Sequence, residues 1–313
     1  ASSNCALTQL ITFLCQLSSA PTDCTFVYDG NDRPAYKRGI QVVKREPFLY
    51  RISKIIIEAF GFRVHMAKGD AEAELTLMNQ SGVFEAILTK DSDVFPLGAQ
   101  CVLRVVPNKS TNTKLIVDVY YASKIEQMLH LNTGGLVLYS LLVGNDIDKN
   151  GVNNFGTVTA LAIAQCGFGD TLIADWKAIR SSCMDQHRYF RDLKQKIGKE
   201  LRCNAHHRLQ SCKPALAKIL INSNFPLEIA WKWFLAPPTA WSDSADIPNT
   251  LSWVPQSHDI PAIAQFCISH VGWSPETTLE RCHQKVWRSV IIRILCSVCL
   301  FLLSPSYCYG QHC

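Results

Sequence analysis

The run Thr25-Phe26-Val27-Tyr28-Asp29-Gly30 decides how the first half of the chain is read. Four mostly apolar, β-prone residues predict a buried strand, and the acid and glycine after them put Asp29 at its carboxyl end. The pattern recurs: Phe62 to Met66 is followed by Gly69-Asp70-Ala71-Glu72-Ala73-Glu74, and Ala86 to Thr89 by Asp91-Ser92-Asp93. Val102 to Val106 and Leu115 to Val119 are further short apolar runs, and helical spacing fills Pro47 to Phe60, Ala71 to Gln80, Ser123 to Leu131 and Gly135 to Val143. Strands separated by helices predict an α/β fold with a mostly parallel sheet flanked by helices. Such sheets take their ligands at the carboxyl ends of the strands, where these acids stand.

With 313 residues, 48% apolar and 18% charged, the chain has material for a sizeable core and a second small one. Disordered, collagen-like and mini-protein classes are excluded. The net charge of +5 hides an asymmetry: residues 177–218 hold 11 Lys and Arg against 3 Asp and Glu, leaving the rest mildly acidic. Fourteen cysteines are scattered without a repeated spacing and require no oxidising compartment. Leu7, Leu10, Ile11, Leu14 and Leu17 predict an amphipathic helix rather than a signal peptide, although Ser18-Ser19-Ala20 mimics a cleavage site. The apolar run Ile294 to Leu303 is about half the ~20 residues of a spanning helix, so no membrane partner is expected.

After Gly144 the strand signal stops, and helices are predicted over Thr157 to Cys166, Thr171 to Met184 and the basic Gln186 to Leu209. Asn224-Phe225-Pro226 and Ala236-Pro237-Pro238 break the pattern, and six of the seven Trp lie from Trp231 onward. The Tyr-Cys-rich stretch Leu295 to Cys313 fits no element. This divides the chain into a core over 1–143, a basic helical region over 144–222, a small Trp-rich helical unit over 223–290 and an apolar, Cys-rich tail over 291–313.

Six acids stand where they can converge: Asp29, Asp70, Glu72, Asp91, Asp93 and Asp146, the last closing Leu141-Leu142-Val143-Gly144-Asn145. Asp91 and Asp93, two apart in an extended segment, share a side. Asp70 at a helix N-cap can aim at the same point as Glu72, while Glu74 turns onto the helix flank. Clustered carboxylates repel unless cations neutralise them, and oxygen-only ligands suit Mg²⁺, or Mn²⁺ in its place. Two such ions clamp the attacking and leaving oxygens of a phosphodiester displacement. The same residues read equally as loop and cap residues.

The segments Phe26-Val27-Tyr28-Asp29-Gly30 with Arg33-Pro34 and Lys37-Arg38-Gly39, Gly69 to Glu74 with Asn79-Gln80, and Leu88 to Asp93 with Phe95 and Leu97-Gly98-Ala99 resemble, in order and spacing, the XPG-type structure-specific nucleases. Leu141 to Asp146 with Gly151-Val152 and Phe155-Gly156 is similar to their helix-two-turn-helix. Glu58 to Phe62, Asp118-Val119-Tyr120, Gly134-Gly135-Leu136 and Gly167 to Asp170 look most like the fungal Holliday-junction-resolving branch, and the short stretch between Lys44 and Glu58 leaves no room for a long helical arch.

The resemblance implies a PIN-like nuclease core, a helix-two-turn-helix and a small, mainly helical C-terminal unit. It implies an Mg²⁺-dependent, nuclear endonuclease that cuts branched or flapped DNA during repair and can pair as a homodimer on a junction. It places two metal ions on Asp29, Asp70, Glu72, Asp91, Asp93 and Asp146, phosphate stabilisation on Lys37 and Arg38 beside a catalytic Asp29, and a monovalent cation in the helix-two-turn-helix loop. DNA contacts fall on Arg33, Lys37, Arg38, Gly151, Gly156, Arg188, Arg191 and Lys194. Asp70 stands where the family usually has Glu, and Asn154 where it has a second Gly, a place Asn can fill in the left-handed conformation. The family's leading strand and its Asp have no counterpart after Ala1. The expectation is therefore an N-terminally truncated chain that binds branched DNA and cleaves it weakly or not at all.

Rival readings remain at this point. A junction-binding protein without catalysis, or an RNA-cleaving relative, would share the core. Asp91-Ser92-Asp93 also suggests aspartate-nucleophile phosphatases, which want Thr or Val where Phe95 stands. His206-His207 with Cys203 and Cys212, or Cys296 and Cys299 with Cys308 and Cys313, suggests zinc, but neither set has a complete four-ligand spacing. The basic face of 186–209 could simply be solvated, and Trp231 and Trp233 read as core rather than base-stacking platforms.

Overall fold

The computed structural model describes residues 2–37, 39–106, 115–241, 250, 253 and 256–303. Strand β1 (Thr25–Tyr28) and strand β4 (Arg63–Met66) pair in parallel, Thr25 opposite Arg63 and Tyr28 opposite Met66. The crossover between them holds helix α2 (Phe48–Ala59), whose Ile52, Ile56, Ile57 and Ala59 face the core, and a small antiparallel hairpin of β2 (Tyr36–Lys37) and β3 (Ile40–Gln41). That hairpin carries Lys37 back over the end of β1. The loops after β1 and β4 touch: a Cβ at Gly30 would lie 1.9 Å from the Ala67 carbonyl oxygen, so only glycine allows this approach.

After β4 come α3 (Ala71–Gln80), β5 (Ile87–Leu88), α4 (Val94–Leu97) and β6 (Cys101–Val105), with β5 and β6 parallel. The βαβ units are parallel as expected, but edge strand β7 (Val117–Tyr121) runs antiparallel to β6. Eleven residues, 106–116, join them. Asn79 and Gln80 tie α3 to this second half: Asn79 Oδ1 accepts the Gln100 N–H at 2.7 Å, and Gln80 Nε2 donates to the Leu97 and Gly98 carbonyls.

The rest is helical. Helix α1 (Ser2–Ser18) precedes the sheet, and after it come α5 (Ala122–Leu129), α6 (Thr133–Val143), α7 (Thr157–Ile163) with a π-turn over Ala164–Phe168, α8 (Leu172–Ile179), α9 (Cys183–Cys203), α10 (Pro214–Asn222) and α11 (Glu228–Leu235). Helices α12 (Ile260–Phe266), α13 (Pro275–Arg281) and α14 (Trp287–Leu303) follow.

Three boundaries move from their sequence positions. The predicted helix 171–184 is two, because Ser182 accepts the Asp185 N–H and starts α9 afresh. Helix α9 ends at Cys203 rather than 209, since Asn204 takes the left-handed conformation at φ 47°. The stretch expected to fit no element is helical through Leu303, and α14 runs across the boundary drawn at 290/291; residues 304–313 lie outside the described residues.

The apolar clusters ignore chain order. One joins α6 to α11 and reaches Ala73 of α3 and Leu97 of α4, passing through the boundaries drawn at 143/144 and 222/223. A second packs α1 (Leu7, Ile11, Leu14) against α2 and against Ile263, Phe266 and Val286 from the last third of the chain. A third, small cluster of Ile87, Val94, Ala99 and Val102 sits under β5 and β6. Ten cysteines between Cys5 and Cys282 are free thiols.

Candidate active site

Asp29, at the end of β1, reaches across to α3, and its Oδ1 accepts the Ala71 N–H at 3.0 Å. This satisfies a free donor of the helix N-terminus from 42 positions away and favours negative charge there. Asp70, the N-cap residue by position, makes no capping bond of its own, and its extended backbone turns its carboxylate into the site instead. One ligand atom from each of Asp29, Asp70 and Glu72 lies within 4.8 Å of the other two.

Basic groups hold this trio together. Lys37 Nζ sits 2.6 Å from Asp70 Oδ1, and Arg33 bridges its own loop to Asp29, with Nη1 3.1 Å from Oδ2 and Nε bonded to the Gly30 carbonyl. Asp70 is 1% exposed, and its other oxygen accepts the indole N–H of Trp233 at 2.6 Å. Burial would lower the Lys37 pKa, but the hydrogen bond to Asp70 and the charges of Asp70, Glu72 and Asp29 outweigh it and keep the ammonium above its usual range. Glu72 is pushed up to about 7, chiefly by burial, with Asp29 and Asp91 adding to the rise and Lys37 opposing it. Its Oε2 is buried without a hydrogen-bond partner among the described residues.

Three of the six predicted acids are therefore gathered tightly. Asp91 is near enough for its charge to act on Glu72, and its Oδ1 accepts the Asp93 N–H at 2.8 Å in the turn before α4. Asp91, Asp93 and Asp146 are not in the 4.8 Å group. Asp146 stands in the loop after α6, where Asn145 Oδ1 accepts the N–H groups of Ile147 and Asp148. Glu74 is fully buried rather than flanking, bonded to His65 Nε2 at 3.0 Å and to the Ala240 N–H.

Sequence reasoning missed Trp233 as a site residue. It is core, as expected, yet its N–H is a donor to the most buried acid, and no local signal links positions 163 residues apart. A divalent cation fits the trio: the donors are all carboxylate oxygens, one of them a buried orphan, and burial, with Asp29 and Asp91 adding to it, raises Glu72 to about 7.

The predicted DNA-contact residues divide. Gly151 adopts φ +51°, and a Cβ there would meet the Leu142 carbonyl oxygen at 2.5 Å, so the turn between α6 and α7 needs glycine. Gly156 is the N-cap of α7 with open space around it, and Asn154 does take the left-handed conformation at φ 64°. On α9, Arg188, Arg191, Lys199 and Arg202 are exposed along one face. Lys194 is off that face, donating to the Ser223 carbonyl at 2.8 Å. Arg33 is directed at Asp29, and Arg38 lies outside the described residues.

Residues 61–146 match the XPG I-region family model. The flap endonuclease GEN-like 1 of Arabidopsis thaliana is 35% identical over 139 residues, 44% of this chain and 23% of the plant protein. Among solved structures, the eukaryotic junction-resolving enzyme GEN-1 binding with cesium superposes with a TM-score of 0.73 at 26% identity, over 94% of this chain and 66% of that one. The Holliday junction-resolving enzyme GEN1 in complex with product DNA and Mg²⁺ gives 0.71 at 25% identity, over 93% and 65%. The chain thus spans about a quarter of the length of that curated relative.

Proposed function

Because this chain carries an XPG I-region on the fold of the XPG-type nucleases, we propose that it is a metal-dependent endonuclease cutting phosphodiester bonds in branched duplex DNA. The observation that carries this reading is the buried group of Asp29, Asp70 and Glu72 with Lys37 against it. Those three acids would hold one Mg²⁺, or Mn²⁺ in its place, and Asp91, Asp93 and Asp146 complete the ligand set for two ions. When bound, such ions neutralise the charge that builds on a phosphodiester during in-line attack.

The chain's own groups supply the rest. Lys37, charged at neutral pH, balances the acids and offers a fixed positive group to a phosphate oxygen. Arg33 fixes the orientation of Asp29, and Trp233 that of Asp70. The turn at Gly151 to Gly156 and the exposed face of α9 at Arg188 and Arg191 suit sequence-independent contact with duplex phosphates, and the turn is also the place for a monovalent cation. Nuclear residence and pairing of two copies on a four-way junction belong to the same proposal.

A second reading, a junction-binding protein without cleavage, is favoured by the engagement of both Asp70 oxygens, one by Lys37 and one by Trp233. Incubation with end-labelled flap and four-way-junction DNA separates the two. Cleavage that appears with Mg²⁺ and stops with chelator supports the nuclease, whereas tight binding with intact DNA in Mg²⁺ and in Mn²⁺ supports the second reading.

A further inference from the structure

The motif His206-His207 lacks partners at a zinc-binding spacing in the sequence, and the fold supplies them from elsewhere. Helix α9 ends at Cys203, and the chain then folds back so that Glu200, 3% exposed, accepts the His206 N–H on Oε1 at 3.0 Å and meets His206 Nδ1 with Oε2 at 2.8 Å. The π-turn after α7 brings Cys166 to the same place, and one ligand atom from each of Cys166, Glu200 and His206 lies within 4.8 Å of the other two. The ring of Phe168, from the same turn, stands edge-on to His206 with centroids 5.6 Å apart.

We propose that Cys166, Glu200 and His206 form a second metal site, distinct in chemistry from the acid cluster, that takes one zinc-class ion and clamps the turn after α7 to the end of α9. A thiolate and an imidazole select borderline-soft ions such as Zn²⁺ or Co²⁺ over Mg²⁺. His206 Nδ1 and Glu200 Oε2, 2.8 Å apart, would both turn to the ion in place of their mutual hydrogen bond, with the ring proton carried on Nε2. The separation is within a small side-chain adjustment of what bonds of about 2.0 to 2.3 Å require. His206 is half exposed, which gives an ion its path in and leaves room for a water as the remaining ligand. Binding would displace the Cys166 thiol proton to solvent. The ion would tie the turn after α7 to the end of α9, the helix whose exposed basic face the nuclease reading assigns to duplex DNA.

The test uses the full chain stripped with chelator and titrated with Co²⁺ alone. One equivalent should bind with a near-ultraviolet thiolate-to-cobalt band that Zn²⁺ bleaches and excess Mg²⁺ does not. Cys166→Ser should abolish the band, His206→Asn should weaken binding by about tenfold or more, and Cys203→Ser and Cys212→Ser should leave it unchanged. Far-ultraviolet circular dichroism of Cys166→Ser should match that of the metal-free parent, so that loss of the band is not loss of fold. The Asp91→Asn/Asp93→Asn variant should keep the band, so this site stands or falls apart from the nuclease reading. No band at stoichiometric Co²⁺, or a band that survives Cys166→Ser, overturns the proposal.

Discussion

The acid cluster and the exposed face of α9 both concentrate charge, and they do so under opposite physical conditions. Asp70 is almost wholly buried, with each oxygen held by a separate donor, while Arg188 and Arg191 stand in solvent. In the first region desolvation makes every charge dependent on its neighbours. In the second, water and salt screen each residue separately. A substitution in the cluster should therefore be large and coupled, and one on the helix small and additive.

The sharpest break between the regions is expected at Asp91 and Asp93. Replacing both with Asn removes charge but keeps shape, so Mg²⁺-dependent cleavage of a labelled flap should fall by orders of magnitude while junction binding stays within a few-fold. A proportional loss of binding, measured by gel shift, would place these residues in the fold rather than in the chemistry. Next in size is Trp233→Phe, which leaves Asp70 Oδ2 buried without its donor. Loss of a hydrogen bond to a charged group should cost about 2 kcal/mol, read as a lower urea midpoint at unchanged slope.

On α9, Arg188→Ala with Arg191→Ala should weaken flap and linear duplex alike and reduce the slope of log K against log salt by about 0.9 for each contact. Lys194→Ala is the internal contrast: its ammonium bonds the Ser223 carbonyl, and burial lowers its pKa, so the slope should not move. Equal slopes in all three proteins would assign the whole helix to solvent.

The two regions also differ in pH dependence. Glu72, raised by burial from 4.5 to about 7, keeps its proton in the folded state where the unfolded chain has already released it. The folded state thus binds more protons between those values, and stability contributed by this group falls as pH rises through that window. Melting in chelator should decline more from pH 5 to pH 8 in the parent than in Glu72→Gln, and Mg²⁺ at pH 8 should recover part of the loss. Identical profiles would remove Glu72 from the buried field.

Much of the first region is legible in the order of residues alone. Strand ends carrying Asp29, Asp70 and Asp91 follow from short-range periodicity, because alternation of apolar runs and helical spacing is a property of adjacent residues. The left-handed Asn154 and the glycine turn before α7 are legible for the same reason. The start of α9 is not, since Ser182 competes with a helical pattern that runs through it. Nor is the antiparallel β7, whose direction shows only in its pairing with β6 and not in what the strand contains.

The sequence by itself determined the α/β order of the first half, the placement of acids at strand ends and the cationic character of residues 177–218, all of them local patterns. Only the tertiary structure decided that Trp233 bonds Asp70, that Glu74 turns away to His65, that Lys194 is occupied by Ser223, and that α1 packs with the last helices of the chain. Those pairings join residues far apart in the chain. What selects them is the burial of apolar faces and the cost of leaving a buried charge or N–H without a partner, quantities that exist only once the chain has closed on itself.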